Sequence, residues 1–165
     1  MTLSKIWLTL HILAAIAAFG PTFAFGIIGA RGGKEPQHAL FATRLVEMLS
    51  LRLVMPVGLV VGVTGILMIF SADISLGDNP WLWIALILYV VMYLFSFFVQ
   101  RRTALAMIGE MEKMTGPPPE GASGPPPQIA ALVKKAQLGG IFLTLLLVTI
   151  VVLMVWKPGG VDSIG

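Results

Sequence analysis

The sequence contains no cysteine. That absence excludes disulfides, thiolate metal sites, cysteine nucleophiles and palmitoylation. Charged residues are also scarce, at 12% of 165 residues, whereas a soluble domain carries roughly 25%. The chain therefore has too little polar surface to cover itself with water.

Four apolar runs hold no Asp, Glu, Lys or Arg at all: residues 6–30, 53–70, 81–99 and 139–156. A proton-coupled transporter or ion pump usually needs a carboxylate within the membrane, so neither class is favoured. The sequence also lacks a phosphate loop, a catalytic-serine motif and a metalloprotease motif, which argues against an intramembrane hydrolase. Nothing in the chain specifies an enzymatic activity.

The same runs predict an all-α membrane protein, a bundle of four transmembrane helices in a lipid bilayer. A hydrocarbon core of ~30 Å needs roughly 20 helical residues, and each run fits one crossing. Continuous rather than alternating apolar residues favour helices over strands. The first run is longer than the ~7–15 apolar residues of a signal peptide, so we treat it as a span. We expect one domain over residues 1–165.

The basic residues predict the orientation. Nine of the eleven Lys and Arg lie in 31–52 and 101–135, whereas the loop 71–80 carries none. By the positive-inside rule, both basic segments are cytoplasmic and both termini lie outside. The net charge of +3 then needs no nucleic-acid partner.

Tryptophan supports this arrangement, because it prefers the membrane interface. The four tryptophans fall at the ends of the runs opposite the basic segments: Trp7, Trp81, Trp83 and Trp156.

The cytoplasmic segments are predicted to be partly helical. Glu35-Pro36 indicates a helix start, since proline is favoured in a first turn, and an amphipathic segment follows it into span two. Residues 100–114 extend span three as a helix. Residues 116–127 hold six of the eleven prolines and predict a flexible linker.

Small residues predict how the spans pack. Gly58, Gly62 and Gly65 in span two allow close approach of a neighbouring helix, and alanines give span one a smooth face. We expect spans one and two to pack together, with homodimerisation through the same glycines as the alternative. Gly20-Pro21 predicts a kink in span one, with either Thr22 or a neighbouring helix bonding the freed carbonyl.

His11 is the main chemical clue. It lies roughly one turn below Trp7, and an ionisable group at that depth is a functional hypothesis by default. Two interpretations remain open. A structural histidine would bond to a carbonyl or to Tyr89. A cofactor-binding histidine would act with Met68 and Met154, which share its depth, because imidazole and thioether ligate haem iron or copper.

The run from Leu10-His11 to Gly20-Pro21, followed by Arg31-Gly32-Gly33 and a basic lead into span two, resembles a bacterial family of predicted four-span integral membrane proteins of unknown function. The Leu-His pair and downstream glycine also resemble, more distantly, the first helix of copper-resistance-D-like proteins and of the membrane protoporphyrinogen oxidase group. This second resemblance implies haem b or copper at His11, although the apolar runs contain no second histidine.

Three functions remain open from the sequence. The first is a small redox, metal-associated or haem-associated membrane protein acting through His11. The second is a non-catalytic accessory or scaffold subunit that binds a membrane protein partner or a second copy of itself. The third is a transporter of a small or apolar solute.

Overall fold

The computed structural model describes residues 3–114 and 125–159, and this part of the chain contains helices and no strand. The helices are α1 (Leu3–Phe19), α2 (Thr22–Lys34), α3 (Pro36–Leu49), α4 (Met55–Ser71), α5 (Pro80–Phe95), α6 (Arg101–Glu112) and α7 (Pro127–Trp156). Two short π-helical turns, Ser50–Val54 and Ser96–Gln100, join α3 to α4 and α5 to α6. The predicted all-α class is confirmed.

These elements form four long helical segments. The segments are Leu3–Lys34, Pro36–Ser71, Pro80–Glu112 and Pro127–Trp156, with 32, 36, 33 and 30 residues. Each is long and apolar enough to cross a membrane. Because a crossing needs only roughly 20 residues, every segment extends beyond the hydrocarbon. The exact bounds of the spans stay predictions.

The fourth segment extends further than the sequence predicted. We expected span four from residue 139, but α7 already begins at Pro127, where a proline without an N–H is tolerated in the first turn. Residue 127 therefore belongs to a helix and not to the linker. Residues 115–124, which make up most of the predicted linker, lie outside the described residues.

The bundle has two chemically different ends. At one end, Ile69, Trp81 and Leu82 form a buried apolar cluster, against which Leu153 and Met154 pack. We call this the tryptophan end, because α4 and α7 finish there and α5 starts there. At the opposite end, α3 packs against α2 and α6, and α6 also packs against α7. We call this the basic end.

Helix α1 packs along α4, which confirms the predicted contact between spans one and two. The predicted kink is confirmed too. Helix α1 stops at Phe19 and α2 resumes at Thr22, because Pro21 has no N–H and its ring clashes with the preceding turn. The Thr22 hydroxyl donates a hydrogen bond of 2.6 Å to the Phe19 carbonyl, one of the carbonyls at the break, because the Phe23 N–H bonds to Gly20 instead. The carbonyl opposite the missing N–H of Pro21 is that of Ala17, four residues back.

The first π-helical turn has a local cause. Pro56 cannot donate a backbone hydrogen bond to the preceding turn, and the chain widens just before it. The Met55 N–H then bonds to the Ser50 carbonyl, five residues back. The second turn is closed in the same way by Arg101 and Ser96, without a proline. Neither turn was predicted from the sequence.

Candidate functional site

The candidate site lies at the interface of α1 and α4, around His11. Its Nδ1 is 3.0 Å from the Val61 carbonyl oxygen and 3.3 Å from Thr64 Oγ1. An unprotonated Nδ1 and the Val61 carbonyl oxygen would both be acceptors and would repel each other at 3.0 Å. We therefore assign the ring proton to Nδ1, which donates it to the Val61 carbonyl. The structure thus selects a carbonyl, rather than Tyr89, as the partner of this histidine.

Two neighbours on α4 shape the surroundings of the imidazole. Thr64 is buried, and its hydroxyl lies 2.8 Å from the Val60 carbonyl and 3.1 Å from the Val61 carbonyl of its own helix. A Cβ placed on Gly65 would lie 3.2 Å from His11 Cε1, tighter than most real Cβ contacts. Glycine at 65 therefore lets the ring lie close against α4.

Helix α5 also contacts α4 through side chains that donate hydrogen bonds to backbone carbonyls. The Tyr89 hydroxyl donates to the Gly58 carbonyl at 2.6 Å, and the Tyr93 hydroxyl donates to the Met55 carbonyl at 3.3 Å. Together with His11 on Val61, three side chains bond carbonyls of α4 at positions 55, 58 and 61. Such interhelical bonds are a recognised means of holding helices together in lipid.

The predicted packing glycines contact side chains. A Cβ on Gly62 would lie 2.9 Å from Tyr89 Oη, and one on Gly58 would lie 3.7 Å from Tyr93 Cε2. Gly65 faces His11, as described above. The glycine pattern therefore accommodates two tyrosine rings and an imidazole.

The structure shows no contact between His11 and either candidate methionine ligand within the described residues. Met154 packs against the Ile69, Trp81 and Leu82 cluster, whereas the close contacts of the His11 ring are with Val61, Thr64 and Gly65. Met68 is on the same face of α4 as Val61 and Thr64, one turn nearer the tryptophan end, because residues three, four and seven apart share a face.

The hydrogen bond from His11 Nδ1 to Val61 neither requires nor excludes a cofactor. A histidine that binds haem iron or copper through Nε2 commonly donates its Nδ1–H to a backbone carbonyl in this way. Within residues 3–114 and 125–159, no group of three or more His, Asp or Glu could hold a metal. A ligand role for His11, with Met68 or Met154, stays a prediction.

Two polar residues were missed from the sequence. Thr64 stands among the glycines of span two, and a hydroxyl there could have been considered as a partner for His11. Gln100 Nε2 donates to the Ala136 carbonyl of α7 at 2.9 Å, and its Oε1 is buried without a hydrogen-bond partner. An amide at the end of an otherwise apolar run is the signal that could have identified Gln100.

His38 lies apart from this site, at the basic end. Its side chain is exposed, and its Nε2 is 4.0 Å from Glu35 Oε2 of the same turn.

A family model described as "Predicted integral membrane protein (DUF2269)" matches residues 5–158. The chain belongs to this family, and it is a multi-pass integral membrane protein that sits in a lipid bilayer. The predicted resemblance to such a family is confirmed, whereas the likeness to copper-resistance-D-like proteins stays a prediction. No curated protein and no solved structure matches the chain.

Proposed function

We propose that this member of the DUF2269 family is a non-catalytic component of a membrane complex, an accessory or scaffold subunit. One observation carries the proposal. His11, the one histidine within the predicted spans, bonds the Val61 carbonyl across the α1–α4 interface. His11, which the sequence marked as a candidate cofactor ligand, therefore has a structural role that is sufficient to explain a histidine within a span.

A comparison of the native protein with two His11 variants tests the proposal. We expect His11→Ala to lower the free energy of unfolding by about 1–3 kcal/mol, because it removes a hydrogen bond and leaves the buried carbonyl without this partner. His11→Asn should recover part of that loss, since its amide nitrogen can take the place of Nδ1. Unfolding of the purified protein in detergent, followed by circular dichroism, measures both effects.

The optical spectrum of the same preparations separates a structural role from a ligand role. Protein purified from its native membrane should show no Soret band and no stoichiometric copper if His11 only joins the helices. A Soret band, or bound copper, that is lost in both variants would replace this proposal with the redox interpretation.

We further propose that the basic end faces the cytoplasm of a bacterial inner membrane and that both termini lie outside. The support is the charge distribution: nine of the eleven Lys and Arg lie in the segments 31–52 and 101–135, which is the pattern of cytoplasmic loops.

Labelling of single cysteines tests the orientation, since the native chain has no thiol. Ser75→Cys places a thiol between α4 and α5 at the tryptophan end, and Met114→Cys places one after α6 at the basic end; both positions are exposed. In intact cells an impermeant thiol reagent should modify the cysteine at 75 at once and the one at 114 only after permeabilisation. The reverse order of labelling would invert the topology.

A scaffold role also implies a partner, either another membrane protein or a second copy of the chain. Large apolar side chains are exposed along α1 and α7, including Ile16, Leu145 and Val155 at 64%, 62% and 57%, and lipid covers them unless a partner does. The mass of the protein extracted with its surrounding lipid distinguishes a complex from a monomer. Transport of a small or apolar solute stays a prediction.

A further inference from the structure

An open groove of about 470 Å³ runs between α7 and the α5 helix with its following π turn. Its walls include the aromatic rings of Phe95 and Phe142, which meet edge to face at a centroid distance of 4.8 Å, together with Leu138. Lys134 and Lys135 also line it. The groove thus combines an apolar surface with two cations.

The two lysines lie at the depth of a membrane interface. Lys134 precedes Trp156 by twenty-two residues on the continuous helix α7, which is ~33 Å at a rise of about 1.5 Å per residue. A hydrocarbon core is ~30 Å thick. If Trp156 lies at one interface, the lysines therefore reach the other, and the apolar part of the groove lies just inside the hydrocarbon.

The two lysines also have no acidic partner within the described part of the chain, as is true of Lys34, Arg52 and Arg102. Four other cations of the basic end have acidic partners: Arg31 with Glu35, Arg44 with Glu112, Arg101 with Glu47 and Lys113 with Glu110. Lys134 and Lys135 are exposed. Among the residues that the structure describes, no Asp or Glu lines the groove.

We propose that this groove binds one anionic phospholipid. Its headgroup phosphate lies between Lys134 and Lys135, and an acyl chain lies along Phe95, Leu138 and Phe142. Basic pockets between transmembrane helices are suited to anionic headgroups, and long lysine side chains can follow apolar surface while their ammonium groups reach the interface. A zwitterionic lipid would place its own cation beside the two lysines and is disfavoured.

Lipid titration of the purified full-length protein tests the proposal. Native mass spectrometry counts lipid bound from added dioleoyl phosphatidylglycerol or dioleoyl phosphatidylcholine in a non-ionic detergent. We expect one phosphatidylglycerol to be retained in preference to phosphatidylcholine. Lys134→Gln/Lys135→Gln should weaken its binding roughly thirtyfold, since each lysine near an anionic headgroup contributes about one kcal/mol.

The matched control is Lys34→Gln/Arg52→Gln, which removes two positive charges from the basic end at exposed positions outside the groove. Like Lys134 and Lys135, these residues have no ion pair within the described part of the chain. The control should leave phosphatidylglycerol binding within about twofold of the native protein. Equal weakening by both double variants would show general electrostatic attraction and overturn the site.

Two further experiments show whether the groove binds a lipid headgroup phosphate or a free phosphate ion. Leu138→Gln keeps both lysines but makes the exposed apolar wall polar, and it should weaken phosphatidylglycerol binding severalfold. Inorganic phosphate at millimolar concentration should not compete with the lipid. Competition by phosphate together with an unaffected Leu138→Gln variant would indicate an anion site instead. None of these outcomes depends on whether the protein is catalytic.

Discussion

Replacing Gly62 with leucine is expected to lower the free energy of unfolding by about 1–3 kcal/mol, the range for overpacking a well-packed interior. A Cβ alone would lie 2.9 Å from Tyr89 Oη and 3.0 Å from Tyr89 Cε1, so the ring must move. That movement breaks the 2.6 Å hydrogen bond from Tyr89 to the Gly58 carbonyl. Thermal unfolding in detergent, followed by circular dichroism, measures the loss.

Two variants show whether the contact with Tyr89 is the cause. Gly58→Ala is the control on the same helix, because its Cβ would meet Tyr93 at an ordinary 3.7 Å, and its stability should change little. Combining Gly62→Ala with Tyr89→Ala should give a smaller loss than the sum of the two single losses, since the clash needs both side chains. A Gly62→Leu protein that melts like the native one would mean that Tyr89 turns away into lipid at no cost.

Much of the fold could be predicted because lipid leaves the backbone few options. Every N–H and C=O within the hydrocarbon must bond internally, so an uncharged run of sufficient length becomes a helix. The kink between Phe19 and Thr22 follows as directly from Pro21, which lacks the N–H that a continuous helix would use. These features depend on neighbours in the sequence alone.

The partners of the site residues depend on more than sequence neighbours. His11 was expected to bond a carbonyl or Tyr89, but selecting Val61 requires the axial register of α1 against α4. Met154 was grouped with His11 by depth in the membrane. Depth fixes only one coordinate, and the contact that the structure shows for Met154 is with the cluster that contains Trp81.

The glycines show the same limit. Small residues four apart predict a close approach of some neighbour, without indicating whether a backbone or a side chain makes it. In this protein, tyrosine rings from α5 occupy the space beside Gly58 and Gly62. Which neighbour contacts a given helix face is decided only when the helices assemble into the bundle.

Gly139→Ala is the second substitution expected to have a large effect. Gly139 is buried, and a Cβ there would overlap Gln100 Oε1. The Gln100 side chain cannot move away without losing a hydrogen bond, because its Nε2 donates at 2.9 Å to the carbonyl of Ala136, which lies on α7 together with Gly139. Alanine favours a helix over glycine by only about 1 kcal/mol. The overlap should outweigh that gain and lower the free energy of unfolding by about 1–3 kcal/mol.

The adjacent Gly140 provides the matched control, since a Cβ there would meet nothing within 4 Å. Gly140→Ala should therefore unfold at the native temperature or slightly above it, as helix propensity alone then acts. Gln100→Ala combined with Gly139→Ala should regain stability relative to Gly139→Ala, because the obstructing oxygen is gone. If the two glycine variants melted alike, the contact of Gln100 with α7 would not restrict position 139.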